Sequence, residues 1–320
     1  MGFRILGTGS AAPAKILSND DLSRMVETSD EWITTRVGVK ERRIAAGETT
    51  GSLAVEAARR ALEQSCTEPG ELDLIIVATV TPDNVCPTVA GEVQKALGAS
   101  CPAFDISSAC SGFIFAMDTA AGFFARGKAK KALVIGAERI SKILDWTDRS
   151  TCVIFGDGAG AAVLGESAED HYLVSELHTE ASEVIFIPAH IGTSPFRTPR
   201  EDDRPPVVFM AGQETFKFAV NAMVGHIRSM TEKLGIAPAD LDFIVPHQAN
   251  TRIIDFAAKK LGLPGEKFIV NIQKYGNTAA ASVPSALDEA SREGRIRPGD
   301  LVAMVAFGGG LSSAGAVVRW

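Results

Sequence analysis

The chain has few cysteines, an unfavourable balance of positive charge, and no unbroken apolar run suited to a membrane. Each shortage excludes something. The five cysteines fall at scattered positions, Cys66, Cys86, Cys101, Cys110 and Cys152. They make no CxxC pair and no zinc spacing, and their odd number argues against a disulfide framework, so a reducing cytoplasmic setting without a bound metal is expected. Lys and Arg number 32 against 39 Asp and Glu, for a net charge of −7 and a sequence pI near 5.4. That excludes a general nucleic-acid binder but leaves room for local basic patches. The opening Met1-Gly2-Phe3-Arg4-Ile5-Leu6-Gly7 is too short an apolar run for a signal sequence. Residues 301–318 carry no charge and have the length of a membrane span. However, Gly308-Gly309-Gly310 and Ser312-Ser313 split them into β-rich runs at 301–307 and 314–318. A buried pair of strands is expected there, and no membrane partner.

What is present is the composition of a globular protein, 46% hydrophobic and 22% charged over 320 residues, enough for one large layered domain or two smaller ones. The chain also repeats itself. A helical stretch followed by the apolar run 74–79 has a counterpart in 219–247. Lys95-Ala96-Leu97-Gly98 is matched by Lys260-Leu261-Gly262. Strands are expected after each, at 103–106 and 268–272, and each then meets a polar turn and a helix. The turns are Cys110-Ser111-Gly112 and Gly276-Asn277-Thr278, so that Cys110 and Asn277 are expected at equivalent, facing helix starts. Basic linkers follow at 126–128 and 294–297, then strands at 132–136 and 301–307, then Gly/Ala-rich strands at 158–164 and 309–318. Continuous apolar strands alternating with helices indicate a parallel-dominated sheet covered on both faces. The expected division is an N-terminal half, 1–165, a connecting or cap segment without counterpart, 166–206, and a C-terminal half, 207–320.

Three residues stand out against this frame. Cys110 falls between the short strand 103–106 and a long apolar helix running to about Ala125. Unpaired N–H groups and the positive helix end favour a thiolate at such a junction. A buried structural cysteine is the plainer reading. His247, in Val245-Pro246-His247-Gln248-Ala249-Asn250, follows a strand directly; alone it could be a loop histidine without duty. Asn277, in Tyr275-Gly276-Asn277-Thr278-Ala279-Ala280-Ala281, could simply cap the next helix. The repeat makes three such coincidences harder to sustain.

Across essentially its whole length the sequence resembles β-ketoacyl-acyl-carrier-protein synthase III of the thiolase-like superfamily. The motifs that carry the resemblance are Ala109-Cys110-Ser111-Gly112, Pro246-His247-Gln248-Ala249-Asn250, Gly276-Asn277-Thr278 and Phe307-Gly308-Gly309-Gly310. The resemblance implies an α/β fold, the layered αβαβα arrangement of two pseudo-symmetric halves. It implies a decarboxylating Claisen condensation between an acyl-CoA primer and malonyl-acyl-carrier-protein. Cys110 would hold the acyl group covalently, the amides of Cys110 and Gly309 would form the oxyanion hole, and His247 and Asn277 would stabilise the enolate. No metal or redox cofactor is implied. Trp32 and Arg149 match residues that sandwich adenine, Thr28 and Arg36 match other nucleotide contacts, and Gly212 and Asn250 match contacts to the pantetheine arm. Lys217, Arg252, Lys259 and Lys260 match the basic patch that receives acyl carrier protein. A homodimer is implied, in which Cys86 stands where acetyl-selective members carry phenylalanine at the end of the neighbour's acyl pocket. Phe155 and Phe216 match other pocket walls.

Rival readings come from other classes. Gly7-Thr8-Gly9-Ser10-Ala11-Ala12 fits the GxGxxA of a dinucleotide-binding oxidoreductase, yet Pro13 and Leu17-Ser18-Asn19-Asp20 do not give the helix that must receive a pyrophosphate. A Cys/His thioesterase would share the acyl-enzyme but release acid to water. A lipid-binding relative without activity would not need all three site residues. A related condensing enzyme of secondary metabolism is the nearest alternative.

Overall fold

The structure, a computed structural model, describes residues 2–189, 195, 196, 198 and 203–320. The N-terminal half runs β1 (Gly2–Ala11), β2 (Ile16–Ser18), α1 (Asn19–Ser23), α2 (Asp30–Arg36), β3 (Glu41–Arg43), α3 (Thr50–Ser65), β4 (Leu74–Ala78), α4 (Val89–Leu97), β5 (Ala103–Ile106), α5 (Gly112–Ala125), β6 (Lys131–Arg139), α6 (Arg149–Cys152) and β7 (Asp157–Ser167). It continues through β8 (Tyr172–Thr179), β9 (Ile185–Phe186) and β10 (Phe209–Met210). The C-terminal half runs α7 (Gly212–Leu234), β11 (Phe243–Pro246), α8 (Thr251–Leu261), α9 (Ile272–Tyr275), α10 (Ser282–Arg292), β12 (Leu301–Gly308) and β13 (Ser312–Arg319).

Two sheets carry the molecule, one of order β1-β7-β6-β4-β5 and one of order β11-β12-β13-β8. β4 is buried at every position and pairs in parallel with both neighbours, as its continuous apolar run requires. Helices α5 and α10 lie between the sheets: Phe113 and Met117, with Val283 and Leu287, share one core with Ile76 and Val134 on one side and Met304 and Ala316 on the other. α5 is apolar on nearly all sides, which suits a helix enclosed along all but its last turn. α3 and α4 cover the outer face of the first sheet, and α7 and α8 that of the second. The layers are therefore αβαβα. The uncharged stretch forms the antiparallel hairpin β12–β13, in register from Leu301↔Arg319 to Gly308↔Ser312. No helix among the described residues is long and apolar enough to cross a membrane.

The glycines of the GxGxxA match lie inside β1. A Cβ on Gly7 would come within 2.6 Å of the Ser65 N, so close packing of α3 accounts for it. Three expectations need correcting. Residues 268–272 form no strand, only the single bridge Ile244↔Phe268. The Gln248 side chain takes the ladder's place, its Oε1 accepting from the N–H of Asn271 (3.0 Å) and its Nε2 donating to the Ile269 carbonyl (3.0 Å). Next, the segment 166–206 is not purely a connection. β8 pairs along β13 from Ser312↔Thr179 to Val318↔Tyr172, mirroring β1 on β7, because β13 would otherwise leave that side unpaired. The rest of that segment reaches 190–194, 197 and 199–202, outside the described residues. Finally, the internal match is offset from the expected one. The single turns Ala109–Ser111 and Ala279–Ala281 correspond, each opening on an alanine at φ 46 and each leading into a central helix. Cys110 is thus equivalent to Ala280, and Asn277 lies just before the facing turn.

Candidate active site

β5 delivers the chain to the turn that carries Cys110, and Gly112 opens α5 immediately after it. The end of β12 lies against this turn. A Cβ on Gly308 would stand 2.7 Å from the Cys110 N and 3.2 Å from its Sγ, so only glycine permits this approach. Gly309 follows, beside Ala109 and Ile185. Serines join the two segments: Ser111 Oγ lies 2.7 Å from Ser312 Oγ, and both hydroxyls reach the Ser108 carbonyl, at 2.8 and 3.0 Å. The position at a helix start is as expected, but the resting thiolate is not. Burial pushes the Cys110 thiol up to about 12, the Glu138 carboxylate adds to the rise, and the residue's own N–H only partly offsets them.

His247 follows β11 and is 2% exposed. Its N–H donates to the Val305 carbonyl at 2.8 Å, and its ring meets Phe307 edge to face, centroids 5.2 Å apart. Nδ1 is 2.7 Å from Ser282 Oγ. Burial lowers the imidazole to about 3, so the ring is neutral. Asn277 is tied by its backbone, donating to Ile154 O at 2.9 Å and accepting from Gly156 at 3.0 Å. Its Oδ1 accepts from the Ala279 N–H at 2.9 Å, which leaves the side-chain NH2 as the outward donor. Asn277 is therefore not the N-cap of the following helix, since Thr278 precedes the turn and Ala281 is the N-cap residue of α10; its side-chain carbonyl oxygen instead braces the turn. Contact runs unbroken from Cys110 to Gly308 and Phe307, on to His247 and Ser282, and so to the turn that Asn277 precedes.

An apolar cluster of Ile140, Leu144, Phe155, Val208 and Ala279 packs against Cys110. Phe155 is the one expected pocket wall found there. A polar cavity of about 210 Å³ lined by Ser10, Arg43, Arg60, Tyr275 and others includes none of Cys110, His247 and Asn277, so concavity alone does not lead to the chemistry.

Comparison with known proteins decides the family. Models of 3-oxoacyl-[acyl-carrier-protein (ACP)] synthase III match residues 104–181, and of its C-terminal part residues 231–320. The β-ketoacyl-[acyl-carrier-protein] synthase III of Caldanaerobacter subterraneus is 50% identical over 99% of this chain and 97% of its own. The chain belongs to the β-ketoacyl-acyl-carrier-protein synthase III family. Among solved structures, the 3-oxoacyl-[acyl-carrier-protein] synthase III of Aquifex aeolicus superposes with a TM-score of 0.93 at 48% identity, covering 100% of both chains. The priming β-ketosynthase of the R1128 polyketide pathway is more distant, at 36% identity and a TM-score of 0.91 over 99% of this chain and 96% of its own.

In this synthase III chain the remaining expected residues fall on two surfaces. Half-buried Trp32, on α2, lies beneath exposed Arg149, whose guanidinium carbon is 5.3 Å from the ring centroid and whose Nη1 donates to Glu27 O at 2.7 Å. Arg36 approaches the same ring at 6.0 Å, and the buried Thr28 Oγ1 has no hydrogen-bond partner among the described residues. Asn250 caps α8, accepting from the Arg252 N–H at 2.9 Å and donating to the Arg36 carbonyl at 3.0 Å. Gly212 opens α7. Arg252, Lys259 and Lys260 are exposed on α8, and Lys217 on α7. Phe216 packs edge to face on Phe256, 6.0 Å away, with Arg252 at 5.9 Å, apart from the cluster around Cys110. A half-buried aromatic on α7 meets its nearest apolar surface on α8. Cys86 is exposed, next to Val85 at 98% exposure.

Sequence reasoning passed over Ser282 and Glu138. Glu138 is fully buried at the end of β6 and accepts from the hydroxyls of Thr79 and Thr81 and the N–H of Val80. Burial raises it to about 7. The signal available was an acidic residue closing an otherwise apolar strand, which burial does not tolerate without dedicated donors. No group of His, Cys, Asp and Glu among the described residues is arranged to hold a metal.

Proposed function

We propose that Cys110, His247 and Asn277 carry out the condensation that starts fatty acid synthesis, joining an acyl-CoA primer to malonyl-acyl-carrier-protein with no metal or redox cofactor. Cys110 Sγ attacks the primer thioester, the tetrahedral oxyanion meets the amides of Cys110 and Gly309, and CoA leaves as its thiol with the cysteine's proton. The malonyl group then loses carbon dioxide. Neutral His247 and the Asn277 NH2 donate to the oxygen of the resulting enolate, whose carbon attacks the acyl-enzyme. Cys110 leaves, regains a proton, and 3-oxoacyl-acyl-carrier-protein is released.

The observation that carries this reading is the unbroken contact from Cys110 through Gly308 and Phe307 to His247. Trp32 with Arg149, Arg36 and Thr28 would hold the nucleotide, and Gly212 and Asn250 would meet the pantetheine arm. The exposed cations Lys217, Arg252, Lys259 and Lys260 would receive the carrier. The half-buried edge strand β5 and the exposed Val85 beside Cys86 support a homodimer in which Cys86 and Phe155 bound the acyl pocket. A cytoplasmic setting fits the free thiols.

Radiolabelled acyl-CoA should label the wild type on Cys110 and fail to label Cys110→Ser. His247→Ala and Asn277→Ala should keep the label and lose condensation on the order of 100- to 1,000-fold. Label at another cysteine, or equal loss of both half-reactions, overturns these assignments.

A further inference from the structure

Ser282 is the first residue of α10, is 2% exposed, and has no part in the chemistry described above. Its hydroxyl nevertheless touches His247 at one ring nitrogen, Nδ1, which leaves Nε2 as the nitrogen to present to a substrate. A serine hydroxyl has one hydrogen to give and two lone pairs to accept with. One lone pair is committed, because the Gln248 N–H donates to Ser282 Oγ at 3.0 Å. The other contact of this oxygen is His247 Nδ1, at 2.7 Å. If Nδ1 carried the hydrogen, Ser282 would accept from two N–H groups and its own hydrogen would need a further acceptor. Among the described residues none is within reach.

We infer that Ser282 donates to Nδ1 and so fixes His247 as the tautomer with its hydrogen on Nε2. The inference rests on the reading of His247 as an oxyanion donor and says how that donor is made. Ser282 is a positioning residue. It does not touch substrate, but it sets which nitrogen presents a hydrogen. The T-shaped contact with Phe307 holds the ring plane, and the Ser282 hydroxyl holds the ring's hydrogen. A neutral imidazole with this tautomer can only donate from Nε2, so it does not draw the proton from the Cys110 thiol; His247 acts on the malonyl half-reaction.

The test is 15N NMR of the full-length enzyme labelled at histidine, with the His247 signals assigned by their loss in His247→Ala. Nδ1 should show the shift of a bare nitrogen and Nε2 that of an N–H. The opposite pattern, or fast exchange between tautomers, overturns the inference even if no Ser282 variant folds. Ser282→Ala should retain labelling by radiolabelled acyl-CoA and lower the kcat of condensation on the order of 10- to 100-fold, by analogy with the loss seen when the partner orienting a metal-bound imidazole is removed. Its 15N spectrum should show the tautomers mixing, and Ser282→Thr, which keeps the hydroxyl, should restore the wild-type spectrum. A Ser282→Ala enzyme with unchanged condensation and an unchanged spectrum removes the role. If instead His247→Ala condenses normally, the donor reading of His247 fails while the wild-type spectrum still decides the tautomer.

Discussion

Cys110 stands where a helix start should favour its anion, yet the surroundings favour the thiol. A helix terminus contributes typically 0.3–1 kcal/mol, reaching ~2 in good geometry. Each unit by which burial raises a pKa is about 1.4 kcal/mol, and here burial moves the thiol to about 12. The resting enzyme therefore holds Cys–SH, and its proton leaves as the carbon–sulfur bond forms. Alkylation of Cys110 by iodoacetamide, followed by mass mapping, should rise with pH through 9 without levelling off. A plateau near neutrality would mean that a thiolate is already present. The same shift acts on stability. The unfolded thiol ionises near 9.0 and the folded one near 12, so this group's contribution is complete below 9 and fades as pH climbs between the two. His247 has the opposite sign. Its folded value is lowered from 6.5 to about 3, so its contribution is complete above 6.5 and is lost as pH falls toward 3. Urea denaturation at stepped pH should show wild type losing stability relative to His247→Gln over that acid window.

At the scale of elements, the end of β12 and the start of α5 work as one piece. Ala at 308 would place its methyl 2.9 Å from the Cys110 Cβ. Gly308→Ala should cost about 1–3 kcal/mol by overpacking and cut acyl labelling far more than it lowers the melting temperature. Normal labelling would show that the turn yields freely. α8 presents Arg252, Lys259 and Lys260 to solvent with half-exposed Phe256 among them. If this face attracts the carrier, Lys259→Glu with Lys260→Glu should raise the KM for malonyl-acyl-carrier-protein roughly tenfold. Labelling by acyl-CoA should not change. Loss of both would place the lysines in folding rather than in docking. The Arg149 guanidinium stands 5.3 Å over the Trp32 ring, too close to admit a base between them if these two side chains receive the adenine as proposed. An adenine can stack there only when the guanidinium lifts away.

For the whole molecule, the first sheet ends on β5, a strand with every residue half-buried and one side unpaired. Such an edge invites a second copy, which would extend the sheet across a two-fold axis. Sedimentation at micromolar concentration should show a dimer; an active monomer removes the shared pocket. Given a dimer, Cys86→Phe should suppress butyryl- and isobutyryl-CoA relative to acetyl-CoA in kcat/KM. The reason is that each methylene the pocket accepts contributes roughly 0.8 kcal/mol. An unchanged primer profile would assign the gate to residues already against Cys110, such as Leu144 or Val208.

Much of this was legible in the linear chain. The run Ala103–Ile106, the apolar helix after Cys110 and the hairpin at 301–318 follow from local pattern, because burial on both faces and glycine punctuation leave a signature within a few residues. The repeat announced two like halves, and the motifs supplied the candidate residues of the site. What the chain alone could not decide depends on partners far away in sequence. Gln248 outcompetes a β-ladder at 268–272, and β8 is recruited to complete the second sheet. Arg42 is buried whole because Leu17, Asn19 and Val153 supply oxygens for its guanidinium. Cys110 keeps its proton for the same kind of reason. Local pattern sets which element forms, whereas the dielectric around a thiol and the acceptor that reaches a hydroxyl exist only once distant segments have packed.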